Sequence, residues 1–386
     1  MLFRSNVHGA PWKQVYEWYS PWVKDCRHRT DLNYIIDILS GEVSVGHSYV
    51  SGGDFQEVKK VAVGLLGADV VVENGGFRIK KIYTGESWNP ELKAPLTSPN
   101  MDVKVGDYIT AVNGVPLSIK SNFYSYFEEK AGKQVKLTLN NTSNTEGGKS
   151  ISVVPVADES ALRSRDWVEG NRRKVDSLSK GQLAYVYIPN TGRPGYNYFN
   201  RYYFSQMDKK GAIIDERNNG GGSAADYIVD ILARQLHGYF NSRVEGHKPF
   251  TVPDGGIWGP KVMLINERAG SGGDLMPYLF REKKVGPLVG VRTWGGLVGT
   301  WDTPPLIDKG RIVAPRGGFY DVNGKWAIEG EGIKPDIEVF QNPADVLQGK
   351  DPQLERGVQE ALNLMKTQGV QLKPEPPAPI KSKRPN

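Results

Sequence analysis

The chain contains one cysteine, Cys26, in 386 residues. An internal disulfide needs two and a cysteine-built zinc site needs more, so both are excluded, and a lone cysteine reads as a small core residue. Long apolar runs are missing as well. No stretch approaches the roughly 18 to 20 residues that span a bilayer, and the start, MLFRSNVHGA, has no apolar signal core. No membrane partner is expected, and the expected location is cytoplasmic, or periplasmic if an upstream signal peptide belongs to the gene product. Neither sign of charge dominates: 49 Lys and Arg stand against 43 Asp and Glu, interspersed, for a net charge of +6. The one strongly basic run, KSKRPN at 381–386, closes a Pro/Lys-rich tail (371–386) and reads as a solvated terminus, not a nucleic-acid patch. The triple glycine Gly220–Gly222 lacks the lysine of a P-loop. No cofactor and no metal are expected.

Three textures are present. Residues 1–58 place apolar and aromatic side chains (Trp12, Val15, Tyr16, Tyr19, then Leu32, Tyr34, Ile35, Ile38, Leu39) at helical intervals. Thr30 or Asp31 is positioned as N-cap of the second helix. So small a helical unit must pack on something later in the chain. Residues 59–156 change to short β-type runs broken by turn residues, VAVGLLGADVVV, FRIKKIYTG, GDYITAVNGVPL, QVKLTLN and SISVVPV, with SNFYSYFEEKAG reading as a helix. Residues 157–370 alternate near-continuous apolar strands with helical patterns, which indicates a largely parallel sheet covered by helices. The whole is α/β, or α+β when the regions are counted together.

Two glycine-rich loops fall where such sheets bind ligands, at the carboxyl ends of strands. The first, Gly220–Gly222, follows the run Ile213-Ile214-Asp215 and reads as a structural turn or as an oxyanion site. The second, in INERAGSGGDLMPYLFR, sets Ser271 at a strand-to-helix turn, exposing its hydroxyl and leaving the Gly272 N–H free to join a glycine of the first loop. Serine needs a base. Of five histidines, His8, His28, His237 and His247 lie in polar stretches and read as surface residues, whereas His47 sits among glycines in GEVSVGHSYVSGGD.

The insert, with Gly64–Ala68 (Gly64, Leu65, Leu66, Gly67, Ala68) followed by VKVGDYITAVNGVPL, resembles a PDZ domain. That resemblance implies a peptide's terminal carboxylate held by the N–H groups of the loop; the alternative is a β-barrel module with no ligand. GEVSVGHSYV, DERNNGGG, NERAGSGGD, VGVRTWGG and IEGEGIKPDIEV follow in this order around the insert. Together they resemble the catalytic half of tricorn protease and its bacterial homologues. The resemblance implies a crotonase/ClpP-like α/β catalytic domain of S41 type, a homo-oligomer of hexameric kind and cleavage of short peptide substrates through an acyl-enzyme. It assigns Ser271 as nucleophile, His47 as base and Glu329 in support, with Gly272 and Gly221 or Gly222 as oxyanion donors. Two positions depart from the family pattern. Gly46 stands where a serine often links glutamate and histidine, which leaves Ser48 or a water to substitute, and Gly272 stands where the archaeal pattern has aspartate. C-terminal processing peptidases, which share this core, use a lysine base in a segment like TFGKG. Here the segment is TWGGL and Gly296 takes the lysine's place. The competing reading is a PDZ-bearing binding protein with a degenerate centre.

Overall fold

The structure, a computed structural model, describes residues 7–86, 88–99, 101–241, 249–300 and 303–382. His247 and most of the basic run at 381–386 lie outside them. The chain divides into two compact units, Glu57–Asn171 and the combination of Met1–Gln56 with Arg172–Asn386.

The second unit is built on a five-stranded sheet. Its order is Ile337–Glu338, Leu288–Gly290, Lys261–Ile265, Gly211–Asp215, Leu183–Tyr187, and every pairing is parallel. Every residue of the strands Lys261–Ile265 and Gly211–Asp215 is buried, as a parallel strand with covered faces requires. Helix Pro352–Gln368 packs on the central strands. Gly357 in that helix permits a close approach, since a Cβ there would lie 2.6 Å from Leu264 Cδ2. Arg217 fastens the helix to the first glycine loop. Its guanidinium bonds both carboxylate oxygens of Asp215 (2.9 and 2.7 Å) and reaches Asp351, the N-cap of that helix, at 2.8 Å.

The N-terminal helices belong to this unit, as their small core demands. Strand Tyr49–Ser51 pairs antiparallel with Arg311–Val313, and Arg29 bonds Asp308 at 2.5 Å. Helix Trp12–Tyr19 buries Val15 and helix Arg29–Gly41 buries Ile35, while Tyr16 and Tyr34, also on the helical pattern, stay exposed. The cap of the second helix differs from the expectation: His28 is the N-cap, its ring accepting from the Thr30 N–H. Asp31 reaches back to the Arg27 and His28 N–H groups instead. Cys26 is only half-buried.

The Glu57–Asn171 unit is an antiparallel sheet ordered Ala68–Glu73, Gly76–Ile82, Tyr108–Val112, Val135–Asn140, Lys149–Val153. Ile79, Phe127, Leu137 and Leu139 form its dry centre. The segment expected as a helix is a single 3-10 turn, Phe123–Phe127. Asn122 caps it, and both phenylalanines turn into the core.

Candidate active site

Strand Lys261–Ile265 ends at Asn266, and the chain turns back through Gly270 and Ser271 into helix Gly272–Glu282. Ser271 takes φ 59° and ψ −116°, a conformation that a side chain normally avoids and that persists only where surroundings hold it. Its N–H is held by Asp274 Oδ2 at 2.8 Å. The first glycine loop lies directly against it, because a Cβ on Gly221 would stand 2.6 Å from Ser271 Cβ. Gly272 opens the helix, so its N–H has no intrahelical acceptor.

The first loop divides its donors. Gly220 N–H goes to Pro189 O at 3.1 Å, and Gly221 N–H goes to the buried Asn219 Oδ1 at 2.9 Å. Gly221 is therefore not a free donor, contrary to the expectation that either glycine could serve. No acceptor is found for the Gly222 N–H among the described residues. Asn219 is itself placed by Glu216, whose Oε2 accepts from Asn219 Nδ2 at 3.0 Å. Glu216 is fully buried, and burial pushes its carboxyl well above the ordinary range, helped by the charges of Asp274 and Asp215. Its Oε1 has no hydrogen-bond partner among the described residues.

His47 follows the N-terminal helices and shares with Ser271 a cavity of about 390 Å3, lined also by Tyr49, Asn219, Gly220, Gly270 and Trp294 and rimmed by Glu267 and Arg268. Its Nδ1 lies 3.1 Å from Tyr49 Oη, and its ring meets Trp294 edge to face at 5.1 Å. Burial lowers its pKa below the usual histidine value, while the charges of Glu329 and Asp274 act the other way. Among the described residues Glu329 is fixed by backbone alone: Oε1 accepts from Gly46 N–H at 2.6 Å, Oε2 from Leu297 and Val298 N–H at 2.7 and 2.9 Å. Glu329 thus meets the residue before His47 directly. No side-chain hydrogen bond of Ser48 to either group is found among the described residues.

Three stretches of the chain match family models: 2–41 the tricorn protease C1 domain, 64–158 the tricorn protease PDZ domain, and 182–339 peptidase family S41. The chain belongs to the tricorn protease family. Tricorn protease homolog 1 of Streptomyces coelicolor is 33% identical over 363 residues, covering 93% of this chain and 34% of its own length. The tricorn protease of Thermoplasma acidophilum is 32% identical over 365 residues, covering 94% and 34%. A crystal structure of the tricorn protease superposes with a TM-score of 0.85 at 31% identity, over 92% of this chain and 34% of that one. The chain thus spans about a third of the length of these relatives.

Within this tricorn-family centre the departures from the family pattern have steric reasons. A Cβ at Gly272 would collide with Thr191 Oγ1 and Gly222 O, so the two loops interlock only around glycine. A Cβ at Gly46 would lie 2.9 Å from Gly296 Cα and 3.1 Å from Glu329 Oε1. At Gly296 it would strike the Trp294 ring, which leaves no room for a lysine there.

The expected carboxylate loop of the insert is occupied from within. Gly64 N–H bonds Phe127 O at 2.9 Å, Leu65 N–H bonds Val156 O at 2.7 Å, and Gly67 N–H bonds Glu159 Oε2 at 2.8 Å. Leu66 is buried in the core, and Ala68 begins the sheet opposite Ile82. Glu159 is buried, and its other oxygen accepts from Arg163 Nε and Nη2 at 2.8 and 2.5 Å. Of the five residues expected to hold a peptide carboxylate, Gly64, Leu65 and Gly67 thus have their N–H groups taken by internal acceptors, the last by the protein's own carboxylate.

Proposed function

We propose that the chain is a serine peptidase that cleaves short peptides through an acyl-enzyme on Ser271. The observation that carries this reading is the strained turn of Ser271 opening into the same cavity as His47. In this reading His47 carries its proton on Nδ1, 3.1 Å from Tyr49 Oη, and Nε2 is the acceptor for the serine proton. As Ser271 Oγ bonds the scissile carbonyl carbon, its proton passes to His47 and then to the departing amine. Water repeats the sequence in reverse to release the acid. The carbonyl oxygen becomes an oxyanion, with Gly272 and Gly222 as its N–H donors. Glu329 favours the imidazolium formed in transit by its charge, and its three backbone bonds hold it in place.

Short peptides, the substrate class that the family resemblance implies, are compatible with a cavity of about 390 Å3. Among the described residues no helix is long and apolar enough to cross a membrane.

A fluorophosphonate probe tests the reading. It should label one serine per chain, and Ser271→Ala should abolish labelling and lower peptide-ester turnover by about four to six orders of magnitude. Since burial lowers the His47 pKa, kcat/KM should rise with pH through a limb below the usual histidine value. Turnover that survives Ser271→Ala in a clean preparation overturns the assignment.

A further inference from the structure

Asp274 lies in helix Gly272–Glu282, completely buried, three residues after the nucleophile. A carboxylate that only caps this helix needs one bond, from the Ser271 N–H. Asp274 has three more, and all come from outside the helix. Oδ1 accepts from Thr293 Oγ1 at 2.5 Å and Gly295 N–H at 2.8 Å, and Oδ2, besides Ser271, accepts from Gly296 N–H at 3.1 Å. Thr293 Oγ1 in turn accepts from Ile333 N–H at 2.8 Å. Four donors fill the acceptor sites of one carboxylate, and no neutral side chain of this size offers as many.

The two sets of donors lead to the two halves of the proposed chemistry. Ser271 is one. The other is the turn Thr293–Gly296, which carries Trp294. That ring packs where Gly270 and Gly296 have no side chains, since a Cβ at Gly270 would lie 2.6 Å from Trp294 Cε3. His47 stands edge to face on the same ring. A shift of Asp274 would therefore move the nucleophile's backbone and the platform under the base in one step.

We propose that Asp274 is a positioning residue for the reaction, one carboxylate that fixes the Ser271 turn and the Trp294 platform of His47 together. The inference rests on Ser271 and His47 acting as proposed above. Its second effect is electrostatic. The groups that face His47 are Glu329, Tyr49, the rim residues Glu267 and Arg268, and the charge of Asp274. Asp274 and Glu329 both favour the imidazolium, so removing the Asp274 charge lowers the pKa of His47.

Asp274→Asn in the full chain is the test, read by peptide-ester kinetics across pH, fluorophosphonate labelling rate and thermal unfolding. Asparagine keeps the size but offers one acceptor oxygen, so at least one donor pair is lost. kcat should fall about 100-fold with KM changed less than about threefold, the scale expected for a misplaced reacting group. The acid limb of kcat/KM should move to lower pH. A role confined to folding would lower the unfolding temperature without moving that limb. A folded Asp274→Asn protein with wild-type kcat and an unmoved limb overturns the proposal. If that variant does not fold, Thr293→Val decides, since it deletes one donor and keeps the charge. kcat should fall about tenfold, on the order of one hydrogen bond, and Thr293→Ser should restore it; wild-type kcat in Thr293→Val overturns the proposal. Ser271→Ala, assayed alongside, separates the two readings: if it stays active the nucleophile assignment fails, and if it is dead while Asp274→Asn is normal only the role of Asp274 fails.

Discussion

Two glycine-bearing loop systems in this chain look alike in sequence and differ in what their N–H groups do. In the catalytic unit, Gly220 and Gly221 spend their N–H groups on Pro189 and Asn219, but no acceptor is found for those of Gly222 and Gly272 among the described residues. In the insert, Gly64, Leu65 and Gly67 all find internal acceptors, the last in the carboxylate of Glu159. Glycine supplies close approach in both cases. Whether that approach serves a ligand is decided by the chain's own acceptors, and these arrive from far away in sequence.

The contrast breaks most severely at Gly272. Gly272→Ala drives a methyl into Thr191 Oγ1 and Gly222 O, so the interlocked loops must part. Turnover should fall about 100- to 1,000-fold, the scale of a lost oxyanion donor, and stability by roughly 1–3 kcal/mol from overpacking, measured by ester kinetics and thermal unfolding. Near-normal turnover would place the oxyanion donors elsewhere.

A smaller effect is expected at Gly46. Restoring the family's serine there offers a hydroxyl to Glu329, but its Cβ crowds Gly296, whose N–H is bound by Asp274. Crowding of this kind costs about 1 kcal/mol or more, so Gly46→Ser should lower kcat about fivefold. A rise in kcat would show that the hydroxyl bridge outweighs the strain and that the backbone link from Gly46 to Glu329 is the weaker relay.

The insert gives the mildest outcome. Glu159→Ala releases the Gly67 N–H and Arg163 together, making the insert loop resemble the catalytic one. Calorimetry on the full chain should then detect a peptide with a free C-terminal carboxylate, at a Kd of about 0.1 mM, or roughly −5.5 kcal/mol. The amidated peptide and the wild-type chain should show none, and peptidase turnover should be unchanged. Equal binding by wild type and variant would mean that Glu159 does not fill the loop in solution.

The parallel sheet was readable from the apolar runs at 212–214 and 262–265, and the strained serine from glycines on both sides of Ser271. Both are local signals with a fixed meaning. The cap on helix Arg29–Gly41 was misread because histidine seldom caps, and proximity alone favoured Thr30 or Asp31. Asp274 was within reach, since an acid three residues after a serine before a helix is a capping signature. Its bonds to 293–296 leave no mark in local sequence. The same holds for Trp294, for Asn219 and for Glu159, which lies 92 residues from the N–H that it accepts.

That last separation matters for anyone cutting the chain. A fragment ending at Val156, where the β-type runs stop, discards Glu159 and Arg163 while keeping the loop they fill. Its Gly67 N–H, no longer held by Glu159, would be open to carboxylates from solvent, tags or neighbouring molecules, and a pull-down with it would report binding that the intact chain does not share. A fragment ending at Asn171 keeps the acid, its arginine and the bonds from Arg163 to Asp69 and Tyr83. Fifteen residues at one terminus separate a faithful module from an adhesive one.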